Sequence, residues 1–298
     1  MWRALGTTFP PRIGAERFVI VATMPRLWDA SLYKGSAEYY LAGRLPYPER
    51  VGLLLAERLG LDGQGRLLDL GCGPGALTLL LAPWFGDVVA IDADADMVHL
   101  GEAEAVRRGV QHVAWLQAYA EDVNGIGQFR VVTLAQSFHW MDQPLVAAKI
   151  RLWLTEGGYC VHVDATTHEG TGSAAGLPHP APPRERITEL IRAYLGPQRR
   201  AGQQVVVGGS TPDNEEAVFR AAGFAAPEVL PVPGGDVFER SEDQVVAAVL
   251  SLSSAAPHLF GDRLTDFIDD LKQLLRAASP ARLFSEQLQD MRLFLWRA

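Results

Sequence analysis

Between Pro48 and Asp164 the chain alternates short apolar runs with longer amphipathic blocks in regular succession. PERVGLLLAERLG (48–60) carries its apolar residues at helical spacing, and RLLDL (66–70) has the length and character of a buried strand. PGALTLLLAPWF predicts a helix, VVAID (88–92) a strand, and ADMVHLGEAEAVRRG a helix stopped at Gly109. HVAWLQA and FRVVTLAQ predict two more strands, PLVAAKIRLWL a helix, and GGYCVHVD a fifth strand. Strands that alternate with helices need crossover connections, so this order predicts an α/β fold on a mostly parallel sheet. With 298 residues, 48% of them hydrophobic, the chain can bury a sizeable core in one large domain or two small ones.

After Asp164 the pattern changes. TTHEGTGSAAGLPHPAPP is rich in Gly, Pro and Thr and predicts a loop. It leads into a helix marked by Ile187, Leu190, Ile191, Tyr194 and Leu195. DNEEAVFRAAGF (213–224) predicts a helix with an Asp cap and a Gly stop, and EVLPVP (228–233) a strand. Helices follow around 243–253 and 263–277, and MRLFLWRA forms a last strand. At the other end, FVIVA (18–22) is too short to span a bilayer. Residues 1–23 therefore read as an N-terminal extension to a domain covering 24–298.

A formal net charge of −8, a pI near 5.4 and the lack of any Lys/Arg block argue against nucleic acid as a partner. Cys72 and Cys160 are the only cysteines, which suggests neither a disulfide framework nor a cysteine metal cage and fits a reducing cytoplasm. His162, His168 and His179 cluster in sequence near Asp164, but their spacing matches no metal-ligand set, so no metal is expected. Lysine occurs only at 34, 149 and 272, far behind arginine, as in the GC-rich genomes of many bacteria.

The junction after the first strand reads LLDLGCGPG (67–75). Gly71, Gly73 and Gly75 allow a sharp turn and a close approach of ligand to main chain, and the N–H groups of the next helix favour a polar or anionic group. A tight strand-to-helix turn with no ligand has the same glycines. A nicotinamide-binding turn places its third glycine three residues after the second, whereas Gly73 and Gly75 are two apart and Ala76 follows. One acid, Asp69, precedes the turn, and another, Asp92, ends the next strand 17 residues after Gly75, where it can accept hydrogen bonds from two ribose hydroxyls. Two acids with three glycines suit a cationic nucleoside better than a pyrophosphate.

These segments resemble the class I S-adenosylmethionine-dependent methyltransferases of the small-molecule group that includes trans-aconitate methyltransferase-like proteins. DLGCGPG is similar to their first motif, AIDADADMV to the second-strand acid, AYAEDV (118–123) to the adenine-side motif, and LAQSFHWMD (134–142) to the fourth-strand motif. YYLAGRLPYP (39–48) resembles the N-terminal pattern whose Tyr and Arg close over the methionine end, and TEGGYCVHVD the fifth strand. The likeness is strong over roughly 30–165 and weak beyond. It implies a doubly wound, seven-stranded Rossmann-like α/β sheet with an antiparallel seventh strand, capped by the 165–212 and 241–285 segments. S-adenosylmethionine is the implied cofactor and a small organic molecule the implied acceptor, methylated on O, N or C; no membrane partner is implied.

By the same resemblance Asp69 and the Gly71, Cys72, Gly73 and Gly75 backbone hold the methionine portion, Asp92 and the adjoining Ala93 the ribose side, and Ala120, Glu121 and Asp122 the adenine edge. Met97 covers the adenine face or is an ordinary core residue. Gln136 offers its backbone carbonyl to the cofactor amino group. Tyr40 and Arg44, four apart, share a helix face, with Arg44 meeting the methionine carboxylate or lying on the surface. His139 takes a substrate proton or only positions the acceptor, and Trp140 walls the pocket. Where many relatives carry Asp, this chain has Arg130, just before the fourth strand, so a turn should differ there. Two other readings are a non-catalytic binding or scaffold protein on the same fold and a nicotinamide dehydrogenase, the latter disfavoured by the glycine spacing.

Overall fold

The computed structural model describes residues 19–20, 32–172, 176–197, 199–201, 204–206 and 215–298. Its central sheet has seven strands: β1 (Arg66–Leu70), β2 (Asp87–Asp92), β3 (Val113–Gln117), β4 (Phe129–Ala135), β5 (Leu154–Asp164), β6 (Glu228–Val232) and β7 (Met291–Arg297). They lie in the order β6-β7-β5-β4-β1-β2-β3. The pairs among β1 to β5 are parallel, and β7 runs antiparallel to both β5 and β6. The order reverses at β1, so the crevice beyond the C-terminal ends of β1 and β4 is where such a sheet binds ligands.

Nine helices of the described residues complete the chain: α1 (Ala37–Gly43), α2 (Glu49–Leu59), α3 (Ala76–Leu81), α4 (Ala95–Arg108), α5 (Gln143–Trp153), α6 (Arg184–Leu195), α7 (Glu215–Ala221), α8 (Glu242–Leu250) and α9 (Leu264–Ala278). Alternate residues of each parallel strand point to opposite faces, and both faces are apolar. Leu68, Val89 and Val132 enter one core, and Leu67, Val88 and Val131 the other. The sequence signals for the helix ends act locally as expected. Asp94 caps α4 by accepting from the N–H groups of Asp96 and Met97, and Gly109 closes it in the left-handed region at φ 71°. Pro83 converts the end of the expected 74–85 helix into a 3-10 turn at Ala82–Trp84.

A third core joins α6, α8 and α9 through Ile187, Val245, Val249, Phe267 and Leu271. This unit sits close to α1. A Cβ on Gly43 would lie 2.5 Å from the backbone carbonyl of Ala247, too near for any side chain. Gly43→Ala is expected to cost about 1–3 kcal/mol of stability through overpacking, despite the better helix propensity of alanine. An unchanged denaturant midpoint would show that α1 and α8 do not touch in this way.

Three features depart from expectation. A hairpin-like pair, Val237–Ser241 with Leu283–Gln287, is not anticipated by the sequence pattern. Arg130 stands inside β4 rather than before it, and its guanidinium donates to the carbonyls of Leu59 and Gly60 and to Asp62. It thus satisfies the carbonyl end of α2, so its effect does fall on a connection, the α2–β1 turn. Val19–Ile20, within the expected extension, pairs with Val123–Asn124. The Asp213 cap and residues 24–31 of the segment that begins at Met24 lie outside the described residues.

Candidate functional site

The three glycines after β1 are not equivalent. All have positive φ, 65° at Gly71, 54° at Gly73 and 80° at Gly75. A Cβ on Gly71 would meet Ser137 Cβ at 2.3 Å, and one on Gly75 would meet the Trp115 ring at 2.3 Å. Gly71 and Gly75 therefore serve the packing of β4 and β3 against the turn. Only Gly73 opens onto space, with no atom within 4 Å of the point where a Cβ would stand. Of the three expected to admit a ligand, Gly71 and Gly73 line both cavities at the turn and Gly75 lines neither.

Asp92 ends β2 and grips this turn. Its Oδ2 accepts from the Gly73 N–H at 2.7 Å and its Oδ1 from the Asp94 N–H at 2.9 Å. Burial pushes its carboxyl up to about 6, although both backbone donors oppose the shift. A carboxylate has room for about four donors, so two hydrogen bonds leave capacity on the cavity side. Asp69, only 1% exposed, is tied to its neighbours, with Oδ2 accepting from Thr78 at 2.5 Å and Oδ1 from Thr133 at 2.8 Å. Burial raises its carboxyl as well, against the pull of those hydroxyls.

Two cavities meet at the glycine turn, sharing Tyr40, Gly71, Gly73 and Ala135 as walls. The smaller, about 80 Å³, is lined by Asp92, Ala93, Met97, Ala120, Glu121 and Gln136 among others. Every expected ribose- and adenine-side residue except Asp122 reaches this wall. Asp122 is buried behind it and closes the Tyr119–Asp122 turn through its backbone N–H. Glu121 also holds the start of α5 by accepting from the Asp142 N–H at 2.7 Å. Gln136 has φ 57° and its side chain donates to the Val163 carbonyl.

The larger cavity, about 470 Å³, includes Arg44, Asp69, Cys72 and Thr167. Tyr40 and Arg44 do share a face, the guanidinium lying 4.5 Å over the Tyr40 ring. Arg44 stands at the C-terminal cap of α1, and its Nε and Nη2 donate to the Ser251 hydroxyl and carbonyl. Burial lifts the Cys72 thiol well above its ordinary range, which leaves it protonated.

Trp140 lines the smaller cavity and His139 does not. The His139 ring packs at 4.9 Å on Trp140, with Glu215 and His162 as its ionisable neighbours. Burial lowers its imidazole to about 4. Seven residues of the same wall stand outside the sequence expectation, among them Tyr33, which meets Trp140 edge-on at 6.0 Å, and Tyr119, Ser137 and Met141. Tyr33 stands in the turn before α1, so no helical spacing pointed to it. The three clustered histidines go separate ways, His162 to Glu215 at 2.8 Å, His179 to Glu239 at 2.9 Å and His168 toward Glu169 at 3.8 Å. Among the described residues no three His, Cys, Asp or Glu side chains converge as a metal site would require, and no helix is long and apolar enough to cross a membrane.

Residues 67–158 match a family model described as a methyltransferase domain. Over 116 residues the chain is 33% identical to 2-heptyl-1-hydroxyquinolin-4(1H)-one methyltransferase of Mycobacteroides abscessus, covering 37% of this chain and 50% of that protein. It is 37% identical over 86 residues to trans-aconitate 2-methyltransferase of Mycobacterium tuberculosis, covering 28% of each. The chain thus spans half or less of the length of these relatives. The [4+2]-cyclase SpnF is similar in fold, with a TM-score of 0.50 at 17% identity over 94% of this chain and 98% of that one.

Proposed function

Through residues 67–158 the chain belongs to the class I S-adenosylmethionine-dependent methyltransferases, and on that premise we propose that it methylates a small organic acceptor. The observation that carries the reading is Asp92, which fixes the one open glycine of the turn while keeping acceptor capacity on the cavity side. A ribose with two vicinal hydroxyls fits that arrangement. The residues present fit the cofactor in other ways too. Met97 and Ala120 offer apolar walls for a purine, and Glu121 a polar edge. In the adjoining larger cavity Arg44 supplies a cation for a carboxylate.

Bound there, S-adenosylmethionine supplies an activated sulfonium methyl for in-line displacement by an O, N or C nucleophile. The tasks left to the protein are to orient the acceptor and to exclude water. Tyr33, Tyr40 and Trp140 form the aromatic wall suited to that work. A relative's acceptor, whether the hydroxyquinolone or the aconitate named above, gives no warrant for this chain beyond a small molecule. The test is a screen of small acids, phenols and amines with labelled S-adenosylmethionine. Transfer of label to any of them supports the reading; cofactor binding without transfer to any class favours the scaffold alternative.

We further assign His139 to positioning through Trp140. Its imidazole, held near 4 by burial, is neutral above that pH and a poor proton acceptor, and it stands behind the wall. His139→Gln is expected to raise the acceptor KM with little change in kcat. A general base contributes about a hundredfold or more, so a kcat loss of that size at saturating acceptor would overturn the assignment.

A further inference from the structure

Ser251 caps the C-terminal end of α8 and is fully buried, in a segment where the sequence pattern points to no site residue. The last carbonyls of a helix lack partners within it, and that end carries a partial negative charge that attracts a cation. The cation that meets it is Arg44, 207 residues earlier in the chain. Nε of Arg44 donates to the Ser251 hydroxyl at 2.9 Å and Nη2 to the Ser251 carbonyl at 2.8 Å. The hydroxyl is itself fixed, since it donates to the Ala248 carbonyl at 2.7 Å.

Two contacts bring these residues together. Gly43 lets the end of α1 rest directly on the Ala247 backbone, and Arg240, only 3% exposed, donates through Nη2 to the Gly43 and Gln244 carbonyls. Arg44, the next residue after Gly43, is thereby delivered to the end of α8.

The grip on Arg44 is one-sided. A guanidinium presents five N–H donors in a planar fork geometry. Ser251 takes the side formed by Nε and Nη2, and the Tyr40 ring lies 4.5 Å from the guanidinium carbon. What remains is the end-on pair, one N–H on each of Nη1 and Nη2. Nη1 stands 3.5 Å from the Thr167 hydroxyl, and Arg44 and Thr167 both line the larger cavity at the glycine turn. An arginine fixed before its ligand arrives loses less conformational freedom when the ligand binds.

We propose that Ser251 is a positioning residue for the cofactor, holding Arg44 so that its end-on pair meets the carboxylate of the methionine portion. The inference rests on the methyl-transfer reading, and it extends cofactor recognition beyond residues 67–158 into the cap. The competing account is that Arg44 does no more than cap α8, and a ligand without a carboxylate separates the two. The full chain and its Ser251→Ala variant are titrated calorimetrically with S-adenosylhomocysteine and with 5′-methylthioadenosine, which shares the adenosine and the sulfur but lacks the amino acid. Ser251→Ala is expected to weaken S-adenosylhomocysteine by about threefold to tenfold, the worth of one hydrogen bond, and to leave 5′-methylthioadenosine unchanged. In an Arg44→Gln background the same substitution should change neither affinity further, because the residue it acts through is gone. Ser251→Cys, whose thiol is a weaker acceptor of similar size, carries the comparison should the alanine variant not fold. Equal losses for the two nucleosides, no loss for either, or an undiminished loss in the Arg44→Gln background would each overturn the proposal and leave the methyl-transfer reading standing. A parent protein that binds neither nucleoside would remove that reading, and the proposal with it.

Discussion

Asp92→Ala lowers the affinity for S-adenosylmethionine by about tenfold to a hundredfold, as expected when a charged acceptor of two hydroxyl groups is lost, worth about 1.5–3 kcal/mol. Equilibrium dialysis with labelled cofactor measures it. The parent protein should show a matching pH dependence. With the carboxyl raised to about 6 by burial, its charged, accepting form predominates above that pH and is lost as pH falls through it. Affinity should therefore decline below about pH 6 in the parent and stay flat there in Asp92→Ala. Equal affinities for parent and variant would remove Asp92 from the site.

Gly71→Ala should be strongly disruptive. At φ 65° an alanine pays about 1–2 kcal/mol for the left-handed backbone. Its Cβ would also sit 2.3 Å from Ser137 Cβ and 3.2 Å from Met141 Cε, adding an overpacking cost of about 1–3 kcal/mol. The strain falls on the contact that joins the β1 turn to the end of β4, where the Ser137 hydroxyl donates to the Leu70 carbonyl at 2.7 Å. Both the unfolding midpoint and the cofactor affinity should drop. Gly73→Ala shares the backbone penalty without the collision, so its stability loss should be the smaller of the two. A Gly71→Ala protein as stable as Gly73→Ala would show that Ser137 does not pack on the turn.

What the sequence disclosed and what it hid divide along the range of the interactions. The period of each strand and helix, the Asp94 and Gly109 stops of α4 and the acid at Asp92 are local signals, and they were legible. The seven-stranded sheet with its antiparallel β7 was reached through the motif resemblance and is the sheet found, while the order of its strands was not read from the sequence. The division of labour among the glycines was not legible, because Trp115 and Ser137 are distant in sequence from the residues they crowd. Nor was the hold of Thr78 and Thr133 on Asp69. The Val237–Ser241 and Leu283–Gln287 strands were missed for a different reason. They bury Arg240 and Glu286, at 3% and 1% exposure, so charged residues stand at inward positions where a sequence pattern looks for apolar ones.

Whether the glycine turn and Asp92 hold a sulfonium nucleoside is decided by a calorimetric titration of the parent protein with S-adenosylhomocysteine and, in parallel, with NAD. Saturable one-to-one binding of S-adenosylhomocysteine, weakened in Asp92→Ala, and no binding of NAD are expected. Binding of NAD in its place, or heat from neither nucleoside, would contradict the assignment.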